Sequence, residues 1–339
     1  MIDSLHITGE HSHRELGRTQ GEVFGAAAAE LARIRFDLAW ERMGRPARES
    51  MAALAMSHLP VLAAFDAGLH DELLGFAEAS GIAPWQLVIL NHYTDFRDIP
   101  ADAGGCSTVF VPADRGSIAA QTWDMHASAE PHVRMMDLTP PGGPRVALFT
   151  LAGCQGMTGM NEAGVAVCIN NLTPSDARVG VLWPSVVRRM LRARTAQAAV
   201  EELRHATLGS GHNYLVADPL YVYNVETTAT RIAVTHSDSG RHYFHTNHYL
   251  DPGLQTLELP PVAGSTSRQR YSALSQMSFS SGLDVEGIQR LLSGVCSHGT
   301  GDDPAASKTC GAMICDLVYR RVHAACGCVH DATWTEVSL

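Results

Sequence analysis

The order of predicted elements points to an α+β layered fold, because helices, strands, helices and strands follow one another in blocks rather than alternating singly. Up to about residue 100, apolar residues recur at helical spacing; after Gly104–Gly105 short β-branched runs take over. Gly25–Met43, rich in Ala, Leu, Glu and Arg, predicts the first helix. Met51–Ala64 and His70–Ala79 predict two more, broken at Pro60 and at Gly81–Pro84, and Trp85–Tyr93 a short one begun by Pro84. Cys106–Val111 and Ser117–Trp123 read as two strands joined by a turn over 112–116. Further strands are predicted at 146–151, 164–170, 214–217, 220–226, 231–236 and 243–246. Helices are predicted at 185–193, at 195–205 with Thr195 placed to cap, and at 268–280 and 284–293. Residues 310–319 and 321–329 read as a closing hairpin.

Composition narrows the function. With 45% hydrophobic and 18% charged residues, the chain can bury a sizeable core. A net charge of −10 argues against a nucleic acid or an anionic membrane as partner and leaves a small molecule. No run approaches the roughly 20 apolar residues of a membrane helix. Met1–His13 has neither a basic nor an apolar stretch, so no signal peptide, a cytoplasmic location and mostly reduced cysteines are expected. Cys326-Gly-Cys328, with Cys310, Cys315 and His323 nearby in sequence, lacks the second spaced pair of a structural zinc site, so no metal is expected. The glycines at 9, 17, 21 and 25 lack the strand and Lys-Ser/Thr of a phosphate loop, and no coenzyme A-binding feature or other cofactor signature is visible.

The informative segment is Asp102-Ala-Gly-Gly-Cys106-Ser-Thr108. A cysteine attacks as its thiolate and needs a base. At the start of a chain its own α-amine, with a reference pKa of roughly 7.7–8.0, can serve. Cys106 reaches that position only if the Gly105–Cys106 bond is cut. Glycines at 104 and 105 suit the backbone geometry that an N-to-S acyl shift requires. In isolation a buried cysteine after a Gly-Gly turn is the better reading, because buried free cysteine is common. Asp124 follows 18 residues later, and paired antiparallel strands would return its carboxylate beside the new amine.

The series GCST…QTWDM…GxxGxNxxGVAVxxNxL…HTNHYL, in this order, resembles the acyl-coenzyme A:6-aminopenicillanic acid acyltransferase family, which includes isopenicillin N acyltransferase-like proteins. His11–Gly21 is similar to the family's E-x-G-x-x-x-G segment, and Ser265-Thr-Ser-Arg268 to its S-x-x-R segment. The resemblance implies the four-layer αββα sandwich of N-terminal-nucleophile hydrolases. It also implies self-cleavage into a mostly helical segment 1–105 and a catalytic segment 106–339, which stay associated in one structural domain. Cys106 is then the nucleophile, Asp124 the carboxylate beside its amine and Asn247 the oxyanion donor. Asn170, Thr108 and His248 are candidate contacts for the amine or substrate. One departure stands out: the penicillin-forming member has arginine in a K-S-R-G-A segment where this chain reads Lys308-Thr-Cys310-Gly-Ala312. Together these features suggest an amidohydrolase cleaving a linear amide of a small N-acyl amino compound through an acyl-thioester. Transfer of the acyl group from a thioester or amide to an amine is the alternative, and a non-catalytic metal- or ligand-binding protein a further one.

Overall fold

The computed structural model describes residues 2–96, 105–113, 116–277, 283–299 and 303–339. In chain order its strands and helices are β1 (Asp3–Ile7), α1 (His13–Arg42), α2 (Arg48–Met56), α3 (His58–Phe65), α4 (Ala67–Ser80), α5 (Pro84–Asn91), β2 (Ser107–Ala113), β3 (Gly116–His126), β4 (Val133–Leu138), β5 (Val146–Leu151), β6 (Thr158–Asn161) and β7 (Ala166–Leu172). Then come α6 (Trp183–Met190), α7 (Ala196–Arg204), β8 (Gly211–Ala217), β9 (Tyr221–Thr227), β10 (Ile232–Asp238), β11 (Tyr243–His245), α8 (Pro252–Gln255), α9 (Ser267–Gln276), α10 (Val285–Ser293), β12 (Ser307–Asp316), β13 (Arg321–Cys326) and β14 (Trp334–Ser338).

Two sheets stack face to face. The larger has the order β1-β4-β5-β6-β7-β8-β9-β10, and the smaller β11-β2-β3-β12-β13-β14. Alternation along the smaller sheet shows how the layers form. Val109, Val111, Ile118, Ala120, Ala312 and Ile314 pack with Leu274, Ile288 and Leu292 of α9 and α10. Phe110, Ala119, Trp123 and Met313 turn the other way, into the core shared with the larger sheet. Helices α1 to α7 build the layer beside that larger sheet. The result is a four-layer αββα sandwich.

Helix α1 begins 12 residues before the predicted start, because Ser12 caps it and Glu15 returns the bond in a capping box. The glycine-containing segment similar to E-x-G-x-x-x-G is therefore helical, and its glycines serve packing. A methyl group on Gly17 would come within 1.9 Å of the Glu72 carbonyl oxygen, so α1 and α4 meet backbone to backbone. Thr195 caps α7, accepting from the Ala198 amide. Strands β1 and β4 were not predicted: β4 reads VRMMDL and is buried on both faces, so it shows no alternation.

Between α4 and α6, Arg188 holds Glu72 through two bonds of 2.8 and 3.0 Å, both side chains being buried. Arg188→Met is expected to destabilise the fold by about 3–5 kcal/mol, because it leaves the Glu72 carboxylate buried without its cation. Adding Glu72→Gln should recover part of the loss. Thermal unfolding midpoints of the single and double variants check this.

Candidate active site

Cys106 immediately precedes β2, and it is buried. The β2–β3 register pairs Ser107 with Thr122, and continuing it places Asp124 opposite Gly105. The hairpin thus returns the carboxylate to the Gly105–Cys106 bond. In the continuous chain, burial and the charge of Asp124 push the Cys106 thiol up to about 12, against the pull of Arg270. Burial also raises the Asp124 carboxyl to about 6, opposed by Arg270, by Thr309 and by the Gly105 amide. The Thr309 hydroxyl donates to Asp124 at 2.6 Å. Its oxygen in turn accepts from the Ser297 amide at 2.8 Å, which leaves its proton to the carboxylate.

Asn247 follows β11 on a loop. Its amide is oriented from both sides: Arg270 donates to Oδ1 at 2.9 Å, and Nδ2 donates to the Asn171 carbonyl at 3.0 Å. Arginine can only donate, so the oxygen and nitrogen of this amide are not interchangeable. Gly105 lies directly against it. A methyl group there would come within 2.1 Å of Asn247 Oδ1, so any larger residue before Cys106 would displace this amide.

Thr108 and Asn170 stand behind Cys106 rather than on the cleft wall, and both are fully buried. Asn170 donates to the Cys106 carbonyl at 2.9 Å, and its Oδ1 accepts from Thr108 at 2.8 Å and Asn213 at 3.2 Å. Their polar groups are engaged within the protein and hold the carbonyl of Cys106 in place. His248 does line the cleft; burial and Arg268 lower its imidazole to about 4.

Arg270 was missed. Nη1 donates at 2.8 Å to both the Cys106 carbonyl and Ser107 Oγ, so one buried guanidinium touches Cys106, Ser107 and Asn247. Arg268, singled out by resemblance, sits at the cleft mouth with Glu258 at 3.6 Å. The spacing Ser267, Arg270, Leu274 marks the buried face of α9 and could have revealed the difference. Cys310 is the extra residue of a β-bulge between Thr309 and Gly311, its sulfur 3.5–3.7 Å from the carbonyls of Lys308, Met125 and His126. Lys308 pairs with Glu130. The positive charge beside Cys106 therefore comes from α9, not from the 308–312 segment. Among the described residues no three His, Cys, Asp or Glu side chains converge to hold a metal.

Cys106, Asp124, Asn247 and His248 open on a cleft of about 360 Å³. Trp123, Met125, Met157 and Ile169 form apolar wall, and Arg268 and Glu258 lie among its polar positions. Such a space suits a small molecule with one apolar portion.

The paired sheets between helical layers define the fold class of N-terminal-nucleophile hydrolases. A solved structure of a variant conjugated bile acid hydrolase from Clostridium perfringens superposes with a TM-score of 0.50 at 11% identity, over 69% of this chain and 92% of that one. The sequence profile of the acyl-coenzyme A:6-aminopenicillanic acid acyl-transferase family matches residues 111–299, more than half of the chain, which belongs to that family. The 40 kDa form of acyl-coenzyme A:6-aminopenicillanic-acid-acyltransferase from Emericella nidulans is 26% identical over 271 residues, covering 78% of this chain and 75% of that protein.

Proposed function

We propose that the chain is a self-processing amidohydrolase that acts through Cys106 on a linear amide of a small N-acyl amino compound. The observation that carries this reading is the convergence of Asp124, Asn247 and Arg270 on the Gly105–Cys106 bond at the floor of a small-molecule cleft. In the processing step, Cys106 Sγ attacks the Gly105 carbonyl carbon and the peptide nitrogen leaves as an amine, giving a thioester. Water then releases the Gly105 carboxylate and frees the thiol. Segments 1–105 and 106–339 stay associated, because β1 pairs with β4 and α1 to α5 share the core with the larger sheet.

In turnover, the new α-amine takes the thiol proton and the thiolate attacks the substrate carbonyl. Asn247 Nδ2 has a second N–H beyond the one given to Asn171, and this hydrogen stabilises the oxyanion. Asp124 holds the α-ammonium. The leaving amine departs with a proton, and water hydrolyses the acyl-thioester. An acceptor amine in place of water completes acyl transfer instead, and the acyltransferase name of the Emericella nidulans relative favours keeping this second outcome in view.

The processing step is tested on the purified wild type. Intact mass under denaturing conditions should give two fragments meeting between 105 and 106. The larger should react with 2-cyanobenzothiazole, which is selective for an N-terminal aminothiol. A single chain of full mass, unreactive to this reagent, would rule the mechanism out.

A further inference from the structure

The loop that presents Asn247 is tied down from behind by one carboxylate. Glu226 lies on β9 of the larger sheet, whereas the loop hangs from β11 of the smaller one. Its Oε1 accepts from His245 Nε2 at 2.7 Å and from the Leu250 amide at 2.6 Å, and its Oε2 from the Asp251 amide at 2.7 Å. His245 Nδ1 also lies 2.7 Å from the Thr246 carbonyl oxygen. One donor thus comes from before Asn247 and two from after it. Closing both ends of a short segment on a single point removes most of its freedom. Glu226 and His245 are both buried, and Glu226 does not line the cleft. On the cleft side, Ser267 Oγ accepts the Asn247 amide at 2.8 Å.

We propose that Glu226 is a positioning residue for the oxyanion site: its carboxylate staples the two ends of the Asn247 loop across the gap between the sheets. This inference rests on the reading of Asn247 as the oxyanion donor. A glutamine cannot substitute cleanly. If its amide nitrogen takes the place of Oε1, it faces the Leu250 N–H; if it takes the place of Oε2, it faces the Asp251 N–H. Either way a bond to the segment after Asn247 is lost, and the Asn247 amide loses its register with the reacting carbonyl.

Two reagents separate this role from a general loss of structure. Acylation of Cys106 by p-nitrophenyl acetate passes through an oxyanion, whereas alkylation by iodoacetamide does not. In Glu226→Gln the acylation rate should fall by roughly ten- to a hundredfold, the range expected for a small misplacement. With both rates read on the matured fraction, alkylation should stay within about twofold of wild type, since its transition state asks nothing of Asn247. In the Asn247→Ala background, Glu226→Gln should add nothing further to the acylation defect. Glu226→Asp, which keeps the charge but withdraws the oxygens by one methylene, should show the same selective defect and serves if the glutamine variant folds poorly. An unchanged ratio of the two rates, or an equal extra loss in the Asn247→Ala background, would overturn the proposal. If Asn247→Ala alone leaves the ratio at its wild-type value, the oxyanion reading fails, and the inference with it.

Discussion

Cys106→Ala is expected to remain one uncut chain and to show no amidase activity. In the proposed mechanism the sulfur attacks two different carbonyls in turn, that of Gly105 and that of the substrate. Its environment makes this dependence strict. With the thiol raised to about 12 in the continuous chain, almost none of it is ionised near neutral pH, so a base must act as it attacks. The hydrogen bonds from Asn170 and Arg270 use only the backbone carbonyl of residue 106 and should survive the substitution. Alanine therefore removes the reacting atom while leaving its frame. Cys106→Ser should retain the frame and cleave more slowly, since a hydroxyl is harder to activate than a thiol. Intact mass over hours, together with progress curves on an arylacetyl p-nitroanilide, measures both effects. Full cleavage or full hydrolysis by the alanine variant would remove Cys106 from the mechanism.

The two ends of this site differ in how plainly they were written in the sequence. Cys106 and Asp124 stand at the ends of one strand pair, so strand propensity and a turn signal indicated that the carboxylate returns to the Gly105–Cys106 bond if the strands pair, and the β2–β3 register shows that they do. Asn247 was placed only by resemblance to a family motif, because nothing local to HTNH marks an oxyanion donor. Arg270 and Glu226 escaped for a different reason. Each acts across elements far apart in sequence: Arg270 reaches Cys106 from 164 residues away, and Glu226 spans the gap between two sheets. Side-chain periodicity can show that such a residue faces inward, but not what it meets there. The same limit applies to Thr108 and Asn170. Their neighbourhood to Cys106 was legible, yet their hydrogen bonds turn away from the cleft, and only the packing of β2 against β7 and β8 fixes that direction. Strand β4 was hidden by its burial on both faces, the case in which a strand loses its alternating signature.

Asn247→Ala is expected to lower kcat by about 100- to 1,000-fold, the usual consequence of removing one oxyanion donor, while leaving KM nearly unchanged. The expectation depends on the orientation of the amide, which the surrounding groups fix. Arg270 holds Oδ1, and the Asn171 carbonyl takes one of the two N–H groups, so the remaining hydrogen is the one that can reach a tetrahedral oxygen. Asn247→Asp sharpens the point. An aspartate could keep the contact with Arg270 but would place an acceptor where the donor stood, beside a developing negative charge and close to the carbonyl of Asn171. It should therefore be no better than alanine in kcat, despite being nearly isosteric. Both variants should also slow the proposed cleavage at Gly105, because Gly105 lies against the same amide and that step would pass through the same kind of intermediate. Steady-state kinetics on whatever fraction matures, combined with the time course of maturation by intact mass, reads the two reactions separately. A fall in KM-limited binding alone, with kcat and maturation intact, would assign Asn247 to substrate recognition instead. Parallel losses in both reactions would tie one amide to processing and to turnover alike.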